Sequence, residues 1–199
     1  MSAPFTIGLT GSIGMGKSAT AALFAEEGCA VWDADAAVHR LYSVGGAAVK
    51  GIAQLRPQAV RDGAVDRPAL KAWIAEDADA LPRIEAVVHP LVAADRAAFL
   101  AETQADIAVL DVPLLFETGG ADAVDMVVVV SVPAEIQRAR VLERPGMTAA
   151  QFQTILAAQM PDSEKRRRAD VVIETHTPEG AKAAVQGLVR RIRQGDHHA

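Results

Sequence analysis

Five short runs of apolar residues punctuate this chain, at 5–10, 30–32, 107–112, 126–132 and 171–173. None alternates with polar residues as a strand with one wet face would, so each predicts a strand covered on both sides. The segments between them carry helical spacing. Residues 17–26 place Ala19, Ala22, Leu23 and Phe24 on an apolar face, with Gly28 as a stop. Pro133 predicts the first turn of another helix, Pro145-Gly146 interrupts it, and Thr148 caps the next. Pro178 opens a last helix that reaches about Arg193. Residues 35–99 are mostly helical in pattern, with breaks at Gly45-Gly46, Arg56-Pro57 and Asp62-Gly63 and no strand. Strands alternating with helices predict a mostly parallel sheet with right-handed crossovers. The long helical stretch reads as an insertion beside that sheet.

The turn after the first strand carries chemistry. Gly11-Ser12-Ile13-Gly14-Met15-Gly16-Lys17-Ser18 matches G-x-x-x-x-G-K-[ST], a pattern expected by accident in well under roughly 1% of chains of this size. Glycines let the backbone wrap around phosphate oxygens with several N–H groups pointing inward. The helix that follows, through Ala19, presents its positive end to the same phosphates. Lys17 supplies a mobile charge for the β and γ phosphates, and the Ser18 hydroxyl is the expected magnesium ligand. Asp111, ending the 107–112 run, is a candidate to help hold that magnesium. Met15 binds through its backbone, which leaves its side chain able to point away.

On the acceptor side, Asp33-Ala34-Asp35 stands at the C-terminal end of the second strand. Ligands of open α/β sheets bind at that edge, and an acceptor hydroxyl needs a positioned carboxylate to take its proton. Asp33 is the expected base. Helix capping is the alternative use of both Asp33 and Asp35.

Composition narrows the partners. The chain has 199 residues, a net charge of −5 and a pI near 5.5, which disfavours nucleic acid as a main partner. Arg138, Arg140, Arg144, Arg166, Arg167 and Arg168 form one basic neighbourhood late in the chain, suited to a small polyanion. Cys29 is the single cysteine and reads as a packed small hydrophobe in a reducing, cytoplasmic setting. No signal-peptide pattern and no bilayer-length apolar stretch is present, so no membrane partner is expected. A monomer or weak homo-oligomer is expected. The tail Asp196-His197-His198-Ala199 is too short for a metal site.

Read together, these residues resemble the dephospho-coenzyme A kinases nearly end to end. The opening Ile7-Gly8-Leu9-Thr10-Gly11 and the phosphate loop, Asp33-Ala34-Asp35 with His39-Arg40, and Asp62-Gly63 with Asp66-Arg67 all fit that pattern. So do His89-Pro90, Gln137, Arg140, Arg144, Gln159, Lys165 and Ala169-Asp170. The most specific segment is Val109-Leu110-Asp111-Val112-Pro113-Leu114-Leu115-Phe116-Glu117. The resemblance implies transfer of the ATP γ-phosphate to the ribose 3′-hydroxyl of dephospho-coenzyme A, with Mg²⁺. It implies a three-layer P-loop kinase-like α/β fold with a five-stranded parallel sheet. In it, residues 1–34 and 105–199 form the nucleotide-binding core, 35–104 a helical coenzyme A insertion, and about 138–168 a lid. Glu174-Thr175-His176 stands where the family usually has asparagine.

Further expectations attach to single residues. Arg140 and Arg144, four apart on one helix face ahead of the Pro145-Gly146 hinge, are expected to bring charge to the phosphates on closure. Leu114, Leu115 and Phe116 could line an apolar wall for the substrate or simply pack in the core, and Glu117 could accept hydrogen bonds from it. His89 either contacts substrate or caps a turn. The basic run 165–168 is either a solvated helix face or an attractor of substrate phosphates.

Overall fold

A computed structural model describes residues 3–196; of the tail, His197, His198 and Ala199 lie outside the described residues. Strands β1 (Phe5–Thr10), β2 (Ala30–Asp33), β5 (Ile107–Asp111), β6 (Met126–Ser131) and β7 (Val171–Glu174) make one five-stranded parallel sheet. Its order is β2-β5-β1-β6-β7. The central strand β1 is flanked by β5, with Leu9 opposite Asp111, and by β6, with Thr10 opposite Val129. The unalternating apolar runs therefore mean what they predicted, because both faces of the sheet are covered. Along β6, Met126, Val128 and Val130 pack into the main core with α1 (Lys17–Glu26) and α9 (Pro178–Arg193). Val127 and Val129 point the other way, against Leu115, Phe116 and Val124. Cys29 is buried in the main core, and burial pushes its thiol up to about 11, which keeps it protonated and inert near neutral pH.

Packing divides the chain into two compact units, Met1–Trp32 with Thr103–Ala199, and Asp33–Glu102. The first holds the sheet together with α1, α6 (Ala134–Leu142), α7 (Ala149–Ala157), α8 (Asp162–Arg168) and α9. Thr148 caps α7 as its sequence predicts, in a reciprocal capping box with Gln151.

The second unit contains α2 (Ala34–Tyr42), α3 (Ala47–Leu55), α4 (Arg67–Glu76) and α5 (Ala80–Glu102) around an apolar cluster that includes Leu41, Ile52, Leu70, Trp73, Ile84 and Val88. Two readings are corrected here. The unit is not free of strands: β3 (Val60–Arg61) and β4 (Ala64–Val65) form a small antiparallel hairpin. Its turn is Asp62-Gly63, with φ of 51° and 77°, the left-handed pair that a two-residue hairpin requires. Two-residue strands are too short to show any alternation, so only the Asp-Gly turn marked them. His89 caps no turn, because α5 runs unbroken through Pro90, and its side chain is exposed.

Candidate active site

The loop between β1 and α1 has a backbone whose hydrogen bonds sort by direction. Four of its carbonyls are bonded within the protein. Ser12 O accepts from Met15 N (3.2 Å), Ile13 O from Gln137 Nε2 (2.7 Å) and Met15 O from Thr175 Oγ1 (2.7 Å). Gly16 O accepts from Thr20 N and Thr20 Oγ1. By contrast, the N–H groups of Gly14, Gly16, Lys17, Ser18 and Ala19 have no protein partner among the described residues. A concave run of free N–H donors at a helix N-terminus is an anion cradle. Three glycines are sterically required, Gly14 among them, where φ is 80° and a Cβ would lie 2.5 Å from Val141 Cγ2. A Cβ on Gly11 would lie 2.4 Å from Val130 Cγ2, and Gly16, at φ 91°, would place one 2.8 Å from Thr175 Oγ1.

Met15 does turn away. It is only 2% exposed, and its sulfur accepts the Val132 N–H at 3.2 Å. Lys17 Nζ is paired with Asp111 Oδ1, whose side chain is 2% exposed at the end of β5. The exposed Ser18 hydroxyl begins α1. A serine hydroxyl and a carboxylate are hard oxygen donors, and Mg²⁺ takes one or two such ligands and completes its shell with phosphate oxygens and water. Ser18 and Asp111 therefore fit that ion.

Three residues brace this loop from neighbouring elements, and sequence reasoning gave none of them that role. Gln137, buried on α6, holds Ile13 O, and Gln159 Oε1 accepts from Ile13 N at 3.1 Å. Thr175, just beyond β7, holds Met15 O. A polar residue on the buried face of an otherwise amphipathic helix was the available signal for Gln137. Arg140, one turn on, donates to Thr175 Oγ1 (3.2 Å), Thr175 O (2.7 Å) and His176 O (3.5 Å). Arg144 lies exposed beyond that helix, which ends at Leu142, so the reading that it shares a helix face with Arg140 is corrected: the chain leaves the helix ahead of Pro145-Gly146.

The segment after β5 splits its residues. Leu115 is buried and Phe116 packs beside it, while Leu114 is exposed. Glu117 Oε1 accepts from Met160 N (2.8 Å) and pairs with Lys165 Nζ (3.0 Å). Burial alone would push the Glu117 carboxyl up, but the Met160 amide and the Lys165 ammonium outweigh it and hold its pKa below the ordinary value. Lys165 is fully buried and also donates to Pro113 O (3.3 Å), which accepts from Thr10 Oγ1 as well (3.0 Å). The basic run is thus not a single charged surface. Lys165 faces inward, Arg167 and Arg168 pair with Glu164, and Arg166 bonds Ser131 Oγ and Glu174.

Asp33 ends β2 and caps α2, its Oδ1 accepting from Ala36 N at 2.9 Å, which leaves Oδ2 for other work. The capping alternative for Asp35 is corrected: it lies exposed in the first turn, and Asp33 is the cap. Among the described residues no helix is long and apolar enough to cross a membrane.

Comparison with known proteins addresses the family and the fold. The family model described as Dephospho-CoA kinase matches residues 5–179. The dephospho-CoA kinase of Cereibacter sphaeroides is 62% identical over 96% of this chain and 97% of its own. The crystal structure of TT1252 from Thermus thermophilus superposes with a TM-score of 0.85 at 34% identity, covering 96% of this chain and 99% of that one. A dephospho-CoA kinase from Campylobacter jejuni shares the fold, with a TM-score of 0.70 at 20% identity over 96% of this chain and 98% of that one.

Proposed function

We propose a role for each residue of this site from one premise: the chain belongs to the dephospho-CoA kinase family. It is a phosphotransferase that uses ATP to phosphorylate dephospho-CoA, the last step in making coenzyme A. The acceptor is the ribose 3′-hydroxyl. The observation that carries this reading is the cradle of free N–H groups at Gly14 and residues 16–19, backed by the bonded carbonyls of Ser12, Ile13, Met15 and Gly16 and closed by Lys17.

The β and γ phosphates lie in that cradle, and Lys17 leaves Asp111 for them. Its charge then moves with the transferring group, whose negative charge spreads over its outer oxygens. Ser18 and Asp111 would hold Mg²⁺, which neutralises phosphate charge. Asp33 Oδ2 orients the acceptor hydroxyl and takes its proton, while Oδ1 stays on the helix cap and fixes the carboxylate's direction. Asp35, His89, Leu114, Leu115, Phe116 and Glu117 belong to the substrate side. Within that group the exposed Leu114 is suited to direct contact, and the buried Leu115 supports it from the core. Arg140 and Arg144 supply positive charge from the segment 138–168, which acts as a lid, and residues 35–104 bind the coenzyme A portion. The protein acts in the cytoplasm as a monomer or weak homo-oligomer.

A coupled assay with ATP and dephospho-CoA, run beside adenosine monophosphate and gluconate as acceptors, tests the assignment. Transfer to dephospho-CoA alone is expected. Equal transfer to either control would overturn it.

A further inference from the structure

Thr175 occupies an unusual chemical position. Its N–H extends the β6–β7 pairing by one bond, to Ser131 O at 3.0 Å, which fixes the residue at the end of the sheet. Its side chain is buried, at 6% exposure. A threonine hydroxyl has one proton to give, and here the neighbours dictate where it goes. A carbonyl can only accept and a guanidinium can only donate. The Thr175 hydroxyl therefore donates to Met15 O, and Arg140 Nη1 donates to the Thr175 oxygen. The result is a directed chain from the guanidinium through the hydroxyl to the carbonyl, each bond polarising the next.

The Met15 carbonyl shares its peptide unit with the Gly16 N–H. In a planar trans peptide the C=O and N–H point in opposite directions. Holding the carbonyl at Thr175 therefore aims the Gly16 N–H to the other side, where it has no protein partner among the described residues. A hydrogen bond to the carbonyl oxygen also makes that N–H a stronger donor. Gly16 alone suits this place, because a Cβ would collide with the Thr175 hydroxyl.

We propose that Thr175 is a positioning residue for phosphoryl transfer, aiming and polarising the Gly16 N–H toward the phosphates and carrying the charge of Arg140 to the back of that peptide. This rests on the kinase reading above. The geometry asks for a hydroxyl at position 175 rather than for its methyl group.

The test uses the full chain with Thr175→Val, Thr175→Ser, Arg140→Met and the Thr175→Val/Arg140→Met pair. Turnover, KM for ATP and thermal melting are measured with ATP and dephospho-CoA. Thr175→Val keeps the shape and should lower kcat about tenfold or more, with a smaller change in KM; Thr175→Ser keeps the hydroxyl and should stay within about threefold of wild type. Because the two residues act in one chain, the Thr175→Val effect should shrink in the Arg140→Met background. Equal losses in the valine and serine variants, or fully multiplicative losses in the pair, would overturn the proposal. If Thr175→Val proves too unstable to assay, the serine rescue against Thr175→Ala decides in the same way. Wild-type protein inactive on dephospho-CoA would instead overturn the kinase reading, a failure visible before any variant is compared.

Discussion

The two units of this chain bury different chemistry. Every buried polar or charged residue among those described lies in the sheet unit: Thr10, Ser12, Thr20, Asp111, Ser131, Gln137, Lys165 and Thr175. The helical unit buries apolar side chains alone, with Trp73 flanked by the guanidinium groups of Arg56 and Arg83. Burying a polar group costs free energy unless it is hydrogen-bonded, and each of these must have its geometry met. A protein tolerates that demand where exact atomic placement matters. The polar core thus maps the parts of the molecule held to a fixed geometry, and the apolar core maps the parts held together only by burial.

That contrast predicts a separation of effects. Lys17→Ala should bring phosphoryl transfer below detection while the melting transition remains cooperative. Turnover and calorimetry on the same sample check this, and near-normal activity would remove the phosphate loop from the mechanism. Asp33→Asn keeps the size of the side chain and much of the cap but removes the base. Single-turnover rates should fall by about 10²- to 10⁴-fold. Asp35→Asn is the control, expected to be milder since Asp35 does not cap the helix. A greater loss at Asp35 than at Asp33 would reverse the two assignments.

The helical unit should answer in the other currency. Trp73→Ala should cost about 3–5 kcal/mol of stability, as large aromatic truncations in cores do, and it also deletes the bond from Nε1 to Asp77. Denaturant unfolding measures it. A loss below about 1 kcal/mol would mean that this cluster is not the core of its unit.

The smallest effect tests the polar core through pH. The Glu117 pKa is lowered in the folded state, so its contribution is complete above the ordinary carboxylate value of 4.5 and fades as pH falls through the folded value. Glu117→Gln should flatten the acid limb of the stability curve below about pH 5 relative to wild type. Parallel curves would show that its bonds to Met160 and Lys165 contribute little.

Much of the sheet unit was readable from sequence because its signals are local or dense. Valine runs specify strands buried on both faces, and the phosphate loop declares itself through residues that only phosphate binding needs together. What escaped depends on distant partners. Nothing near Lys165 in sequence says that it turns inward to Glu117 while its three arginine neighbours pair at the surface. Thr175 drew notice only as a departure from asparagine, because its partners lie 160 and 35 positions away. Asp33 shows a subtler limit. Capping and catalysis are not exclusive there, because a carboxylate has two oxygens and the cap occupies one.

The strand order also has a consequence for how the chain comes into being. β1 and β2 are made first, yet neither touches the other in the sheet; β5, which pairs Ile107 with Phe5, must be synthesised to lie between them. At ordinary elongation rates of about 5–20 residues per second, the first two strands wait several seconds for a partner. Meanwhile the helical unit, whose packing partners all lie within residues 33–102, can complete itself before β5 is made. The two tryptophans fall one on each side of this divide, Trp32 on β2 and Trp73 in the helical cluster. Each can therefore act as the clock for its own half of the folding reaction.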